Sequence, residues 1–243
     1  MIIAQLSDIH ADGSNKPLER LDKVLDWLQA LEPDAIIISG DLAEAEHEKS
    51  YRAINKRLEA MKTPFLLVPG NVDDHGEMRA VFGERFGWES DRPLCVEGQI
   101  GAEVRAIGLD VTVAGAHHGD AAPVLDWLGE RLNSGGAPAL IFMHQHPFFC
   151  GVDNKDRNKC RSEEALSLVI GQASDVVYGT TCGHVHRPMF TRFADRPATM
   201  APSVARANRL DLDGKKADIV DPPGLLIHHL SETRLVTHVV SVS

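Results

Sequence analysis

The chain has 243 residues, of which 43% are hydrophobic, and this is enough for one large domain with a core of its own. Its 35 acidic and 25 basic residues give a formal net charge of -10, which argues against a protein that binds nucleic-acid polymers through a basic face. No stretch of the sequence approaches the ~18 consecutive apolar residues of a membrane span, so no membrane association is expected.

The first third of the chain alternates short apolar strands with amphipathic helices. Strands are predicted at residues 2–6, 35–39 and 65–68, and helices at 17–31, 46–61 and 78–86. In the first helix, for example, Leu21, Leu25 and Leu28 recur at three- and four-residue spacing. This β-α-β-α-β order predicts right-handed crossovers and a parallel sheet.

The rest of the chain mixes hairpins with further strands and helices. Strands are predicted at 94–97, 104–109, 139–143, 176–182, 190–192, 199–201, 225–228 and 235–240, helices at 123–132 and 162–170, and polar loops at 147–160 and 210–223. Asp120 is the expected cap of the helix at 123–132. We therefore predict an α/β fold in one domain over residues 1–243. Two packed mixed β-sheets flanked by helices would form a four-layer αββα sandwich.

Five of the predicted strands end in side chains that bind metal ions. They lead into Asp8 and His10, Asp41, Asn71, His144 and His146, and His184 and His186. Because open α/β sheets place their chemistry at the carboxyl ends of strands, we expect these side chains to meet at one rim. Mixed imidazole, carboxylate and amide ligands suit first-row metals such as Mn, Fe or Zn. Two such ions need a shared ligand, and Asp41, at the end of a central strand, is the best placed carboxylate.

The same blocks resemble those of a known family. Asp8-Ile9-His10, Gly40-Asp41, Gly70-Asn71, His144 and Gly183-His184-Val185-His186 are similar, in content and order, to the five-block signature of calcineurin-like metallophosphoesterases. The resemblance implies two divalent or trivalent metal ions, one held by Asp8, His10, Asp41 and His186 and the other by Asp41, Asn71, His144 and His184. It also implies hydrolysis of phosphate esters by in-line attack of a metal-bound hydroxide, held at the bridging Asp41.

The residues around these blocks narrow the resemblance. Leu6-Ser7-Asp8-Ile9-His10 and His144-Gln145-His146-Pro147 are most similar to the blocks of bacterial class III cyclic-nucleotide phosphodiesterases and glycerophosphodiesterases. The expected substrate is therefore a small phosphodiester. Two alternatives stay open: a phosphomonoesterase or protein phosphatase on the same scaffold, and a non-catalytic scaffold that binds metal and serves as an interaction surface.

One position departs from the family pattern. Val72 follows Asn71, where the family usually has a histidine that contacts the phosphate or protonates the leaving group. Valine can do neither, which predicts slow turnover of poor leaving groups. His146 is a candidate catalytic residue, although a supporting role or an ordinary loop position fits it equally. The candidate substrate contacts are Asn71, His75, His117, His118 and Arg187, and for Arg187 a plain surface position is nearly as compatible.

The cysteines and the chain ends suggest a compartment and an assembly. Cys95, Cys150, Cys160 and Cys182 have no C-x-x-C spacing, so we expect free thiols in a reducing compartment and no zinc ribbon. The N-terminus enters a strand without an apolar signal core, which favours a cytoplasmic location. The segment 224–240 offers an exposed sheet edge through which a second copy could pair, so a homo-oligomer is a candidate assembly.

Overall fold

A computed structural model describes residues 1–212, 215–217, 221–231 and 234–243. Its strands are β1 (Ile2–Leu6), β2 (Ala35–Ser39), β3 (Phe65–Val68), β4 (Val96–Ile100), β5 (Val104–Leu109), β6 (Gly119–Asp120), β7 (Ala139–Met143), β8 (Cys160–Arg161), β9 (Val177–Cys182), β10 (Met189–Phe193), β11 (Arg196–Met200), β12 (Leu210–Leu212), β13 (Lys215–Ala217), β14 (Gly224–Ser231) and β15 (Arg234–Ser241). Its α-helices are α1 (Asn15–Leu31), α2 (His47–Met61), α3 (His75–Phe86), α4 (Leu125–Asn133), α5 (Asp153–Asp156) and α6 (Glu163–Gln172).

Two mixed sheets contain most of the strands. The first has the order β15-β14-β1-β2-β3, with β1, β2 and β3 parallel and the β14–β15 hairpin antiparallel to β1. The second has the order β10-β11-β9-β7-β5-β4, with a parallel centre from β11 to β5 and an antiparallel strand at each edge. The predicted α/β fold with two mixed sheets is confirmed.

The sheets and helices form four layers, because the side chains on each strand point alternately to the other sheet and to the helices. On β2, Ile36 and Ile38 pack among residues of α1 and α2, whereas Ile37 faces the second sheet. On β7, Leu140 and Phe142 face the first sheet, and the side chains that alternate with them, Ala139, Ile141 and Met143, pack with α4 and α6. Because strand side chains alternate between faces, strands buried on both faces are apolar throughout.

Some predicted boundaries shift for local reasons. Helix α3 begins at His75, three residues before the predicted start, because the Asp74 carboxylate caps it by accepting a 2.8 Å hydrogen bond from the Glu77 N–H. A 3-10 turn at Ala122–Val124 precedes α4, and Asp120 accepts a hydrogen bond from the Ala122 N–H at the start of that turn. Strand β11 is antiparallel to β10, as predicted, but parallel to β9.

Two predicted loops contain secondary structure. The prediction of a loop over 210–223 is wrong in part, because β12 and β13 pair as a hairpin there; residues 213–214 and 218–220 lie outside the described part of the chain. The loop at 147–160 contains the single-turn helix α5, and its end pairs with β6 through β8. A strand of two or three residues and a single helical turn are too short to show a hydrophobic period, so the sequence pattern does not predict β8, β12, β13 and α5.

Two expectations concern membranes and thiols. Within the described residues, no helix combines the length and the apolar composition that crossing a bilayer would require. All four cysteines are free, as predicted.

Candidate metal centre

The turns that follow the strands hold their polar residues in an unusual backbone conformation. Asp8, His10, Asp41, His184 and His186 all have positive φ, between 51° and 73°. Residues other than glycine rarely occupy this region because it is strained for them. Such backbone strain persists where the surrounding structure imposes it, often at functional sites. In the described chain, these residues make up five of the eleven non-glycine positions with positive φ. The strain is therefore concentrated at the predicted ligands.

Four ligand atoms form a first group at the ends of β1, β2 and β9. One atom each from Asp8, His10, Asp41 and His186 lies within 4.8 Å of all the others. His186 Nε2 is 3.1 Å from Asp8 Oδ1 and 3.0 Å from His10 Nε2. These are the separations that donors around a single cation would have, so the group can hold one metal ion.

A second group lies beside the first and shares Asp41 with it. Ligand atoms of Asp41, His144 and His184 also lie within 4.8 Å of one another. Asp41 Oδ2 is 3.2 Å from His144 Nε2 in this group and 3.6 Å from His10 Nε2 in the first group. His184 turns Nδ1 towards His144 Nε2, at 3.3 Å. The Asp41 carboxylate therefore stands between two ligand groups.

Asn71 contributes an amide oxygen whose environment also suits a cation. Its Oδ1 atom is buried and has no hydrogen-bond partner among the described residues. A buried polar atom without a partner is uncommon and calls for an explanation, for which a bound ion is one. The N–H of the next residue, Val72, donates a 3.1 Å hydrogen bond to Asp41 Oδ1, which leaves Oδ2 to face the ligand groups. The surroundings of Asn71 Oδ1 thus fit its predicted role as a metal ligand.

Hydrogen bonds behind the rings fix which nitrogen faces the centre. Nδ1 of His144 donates to the Ser39 carbonyl at 2.8 Å, and Nδ1 of His186 donates to the Arg206 carbonyl at 2.8 Å. Because a carbonyl only accepts, Nδ1 carries the donated proton and Nε2 of each ring points into the centre. Partners of this kind orient the histidine ligands of metal sites and raise their basicity.

Asp73 ties together the turns that carry Asp41 and Asn71. Its carboxylate accepts hydrogen bonds from the N–H groups of Leu42, Ala43 and Gly70, at 2.8 to 3.1 Å, and from the Tyr51 hydroxyl at 2.9 Å. Desolvation and the nearby charge of Asp41 raise the pKa of Asp73. Sequence reasoning missed this residue, although it stands in the same block as Asn71.

Close contacts of Gly183 show how tightly the centre is packed. A Cβ atom at this position would overlap Ser7 Oγ and would lie 2.8 Å from Asp8 Oδ2 and 2.9 Å from the Ser39 carbonyl oxygen. The backbone N–H that follows, on His184, donates to both Asp8 oxygens at 3.1 and 3.2 Å. The turn that begins at Gly183, directly after β9, is called the β9 turn. It can approach Asp8 this closely because residue 183 has no side chain.

Protonation in the metal-free protein follows from these contacts. Burial lowers the pKa of His144, but the negative charges of Asp41 and Asp8 outweigh burial and raise it to about 9. Burial raises the pKa of Asp8, but the surrounding imidazoles, His186 foremost, hold it well below its usual range. The metal-free centre therefore has ionised carboxylates and a protonated His144 at neutral pH.

We expect metal binding to release this proton. A ligating imidazole must be neutral, so loading at pH 7 should release about one proton per chain from His144. The apparent metal affinity should rise roughly tenfold per pH unit and level off near the pKa of about 9. Calorimetric titration in two buffers with different ionisation enthalpies measures the released protons. Binding without proton release at pH 7 would contradict the proposed ligand role of His144.

The remaining predicted histidines have different neighbours. His117 Nδ1 is 3.5 Å from the Asn71 amide nitrogen, so it borders the centre. His75 Nε2 is instead 2.9 Å from Asp110 Oδ2, and this interaction raises the pKa of His75 although partial burial opposes the shift. His118 lies near Asp120, whose pKa is lowered against partial burial by hydrogen bonds from Ala122 and Ser162 and by the charges of Arg161 and His118.

Two further predicted residues are engaged elsewhere. Arg187 donates to the Asn208 carbonyl at 2.6 Å and lies 3.4 Å from an oxygen of Asp221, so we leave it out of the substrate site. His146 has no exposed surface and groups with Cys150 and Asp156 instead of with the ligands described above. The catalytic role predicted for His146 stays a prediction.

Lys155 is a neighbour of the centre that the sequence analysis did not single out. Its ammonium group donates a 2.8 Å hydrogen bond to the His184 carbonyl. Burial lowers the pKa of Lys155, and the charges of Asp8 and Asp41 oppose that shift. The only sequence signal was its place in a cation-containing loop directly after the His144 block.

Comparison with known proteins identifies a family, several relatives and a solved structure that are similar to this chain. The family described as calcineurin-like phosphoesterase matches residues 1–188. The probable glycerophosphodiester phosphodiesterase GpdQ of Arcobacter nitrofigilis is 28% identical, over 98% of this chain and 92% of that protein. The 3',5'-cyclic adenosine monophosphate phosphodiesterase CpdA of Escherichia coli is 26% identical, over 83% of this chain and 75% of its own. Among solved structures, a dimetal phosphatase from Danio rerio superposes with a TM-score of 0.73 over 100% of this chain and 99% of that one, at 13% identity, which shows a shared fold.

Proposed function

Since the chain belongs to the calcineurin-like phosphoesterase family, we propose that it is a phosphodiesterase that hydrolyses a small diester with the help of two metal ions. The observation that carries this proposal is that two ligand groups share Asp41, with its Oδ2 facing both. Relatives named as glycerophosphodiester and cyclic AMP phosphodiesterases support a substrate of one of these two diester classes.

The proposed ligands follow the two groups. Asp8, His10, Asp41 and His186 would hold one ion, and Asp41, Asn71, His144 and His184 the other. This mixture of nitrogen and oxygen donors suits Mn, Fe or Zn. Such ions, when bound, lower the pKa of coordinated water to about 7 and polarise phosphoryl oxygens. The protein's own contribution is to hold these donors rigidly, through the Ser39, Arg206 and Asp73 hydrogen bonds.

A cavity beside the centre is a suitable place for the substrate. It has a volume of about 390 Å³, and His10 and His186 form part of its wall. Lys16, Arg20 and Arg206 also line it, together with Asp12 and Glu44, so three basic and two acidic side chains surround this cavity in a protein of net negative charge. A larger cavity of about 860 Å³, lined by Phe86, Trp88 and Trp127 among others, includes none of the proposed ligands, so we do not assign it to the substrate.

His117 is the histidine best placed to do what Val72 cannot. It is exposed and lies against the Asn71 amide, on the side of the proposed second ion. The Gln145 side chain donates to the His117 carbonyl at 3.4 Å and so ties this loop to the block that contains His144. We therefore assign to His117 the protonation of the leaving group or a contact with the phosphate.

Replacement of His117 by glutamine should slow hydrolysis in proportion to the basicity of the leaving group. General-acid help contributes about 10²–10⁴-fold, so turnover of an alkyl diester should fall about 10²-fold, and that of bis-(4-nitrophenyl) phosphate much less. His229→Gln, on the exposed side of β14, is the matched control. Adding Val72→His to the His117→Gln variant should restore part of the rate. Equal losses on both substrates would remove His117 from the acid role.

The proposed substrate class is tested by parallel assays on one metal-loaded preparation. We expect bis-(4-nitrophenyl) phosphate to be hydrolysed with a kcat/KM at least about tenfold above that of 4-nitrophenyl phosphate, a difference of about 1.4 kcal/mol in transition-state stabilisation. Preference for the monoester would instead favour a phosphomonoesterase on the same scaffold. No hydrolysis of either ester by protein that binds two metals would favour a non-catalytic scaffold.

A further inference from the structure

A third set of ligand-type side chains lies next to the proposed two-metal centre. Ligand atoms of His146, Cys150 and Asp156 lie within 4.8 Å of one another, and none of these residues belongs to the two groups described above. His146 follows β7, and the other two lie on the loop that ends at β8. The set therefore joins the central strand of the second sheet to that loop.

The buried imidazole of His146 lacks a partner. The residue has no exposed surface, and neither Nδ1 nor Nε2 has a hydrogen-bond partner in the described part of the chain. The rings of Phe148 and His184 lie 5.7 and 5.9 Å away and can satisfy neither nitrogen by packing. Asp156 Oδ1 lies 3.7 Å from Nε2. A buried polar side chain without partners is costly, and a cation between these atoms would remove the cost.

The loop is folded so that thiol and carboxylate lie together. The backbone N–H groups of Cys150 and Gly151 donate to the two oxygens of Asp156, at 2.7 and 3.0 Å. These bonds fix the carboxylate beside the half-buried Cys150 side chain. The donors are thus preorganised by main-chain contacts and do not depend on a flexible surface arrangement.

We propose that His146, Cys150 and Asp156 bind a zinc ion at a third site. Thiolate, imidazole and carboxylate are the ligands that zinc takes in proteins, and a thiolate disfavours Mg or Mn. Three protein donors leave one position of a tetrahedral ion for water. This site does not depend on the phosphodiesterase proposal, because none of its ligands is shared with that centre.

The third site would act on the neighbouring centre through the loop. Lys155 precedes Asp156 and donates to the carbonyl of His184, a proposed ligand of the two-metal centre. Zinc bound by His146, Cys150 and Asp156 would hold this loop against β7 and so keep the Lys155 ammonium in place. We therefore regard the three zinc ligands as positioning residues with respect to hydrolysis.

Cobalt substitution tests the third site directly. Co²⁺ takes the place of zinc, and only a cysteine ligand gives a thiolate-to-cobalt charge-transfer band. We expect metal-free full-length protein titrated with Co²⁺ to develop this band, Cys150→Ser to lose it, and the control Cys95→Ser to keep it. Asp156→Asn should need at least about tenfold more Co²⁺ to reach half of the band, as expected for loss of a metal ligand.

The fold and the zinc content of Cys150→Ser are measured alongside the cobalt titration. Circular dichroism verifies that Cys150→Ser is folded, and zinc analysis should show one ion fewer per chain than in the wild type. Absence of the band in the wild type, or its persistence in Cys150→Ser, would overturn the third site. Neither result bears on the two-metal centre, whose proposed ligands include no cysteine.

Discussion

Replacing Asp41 by alanine is expected to lower kcat/KM for a phosphodiester at least about 10³-fold, which corresponds to about 4 kcal/mol of transition-state stabilisation. The reason is geometric. Asp41 Oδ2 lies 3.2 Å from His144 Nε2 and 3.6 Å from His10 Nε2, so its loss removes a ligand from both proposed ions at once. We also expect the variant to retain less than two metal ions per chain after dialysis.

The matched control for Asp41 is an acid far from the ligand groups. Asp175 is fully exposed and lies 3.8 Å from Arg196, so Asp175→Ala should keep both activity and metal content. Steady-state kinetics together with metal analysis of the purified variants gives the answer. An Asp41→Ala enzyme that hydrolyses the diester at a rate near that of the wild type would remove the shared-carboxylate centre.

Adding one methyl group at Gly183 should damage the centre without removing any ligand. In Gly183→Ala the new Cβ would overlap Ser7 Oγ and crowd Asp8 Oδ2, both of which are buried. Overpacking of this kind costs about 1–3 kcal/mol of unfolding free energy. Displacement of the β9 turn from Asp8 should in addition weaken metal binding by about 10–100-fold, as happens when groups that orient ligands are lost.

Gly171→Ala is a control that should change the unfolding free energy in the opposite direction. Gly171 lies in α6, and a Cβ added there would meet no atom within 4 Å, so Gly171→Ala should raise the unfolding free energy by up to about 1 kcal/mol through helix propensity. Urea unfolding and metal titration of both variants check the pair. Unchanged stability and unchanged metal affinity in Gly183→Ala would show that the β9 turn does not have to approach Asp8 this closely.

The sequence predicted those parts of the molecule that have local causes. Ile36, Ile37 and Ile38 form an apolar run before a glycine, and this pattern alone indicates a strand buried on both faces, with Asp41 after its end. The four other strands that lead to predicted ligands are also short and largely buried. Their carboxyl ends could therefore be expected to meet at one rim.

Contacts between distant loops could not be predicted. The approach of His117 to Asn71 spans 46 positions and depends on how the loop after β5 folds. Lys155 and Asp156 sit on a four-residue helix that has no periodic signal, and their neighbours are set by backbone hydrogen bonds within one loop. Similarly, Arg187 follows the His184-Val185-His186 block directly, yet its guanidinium turns to Asn208.

Anomalous diffraction from crystals of the Mn-loaded protein would show whether one aspartate is shared by two metal ions. We predict two anomalous peaks about 3.5–4 Å apart with Asp41 Oδ2 between them, one next to His10 and His186 and the other next to His144 and His184. A single peak, or two peaks that do not share Asp41, would rule out a two-metal centre built around this carboxylate.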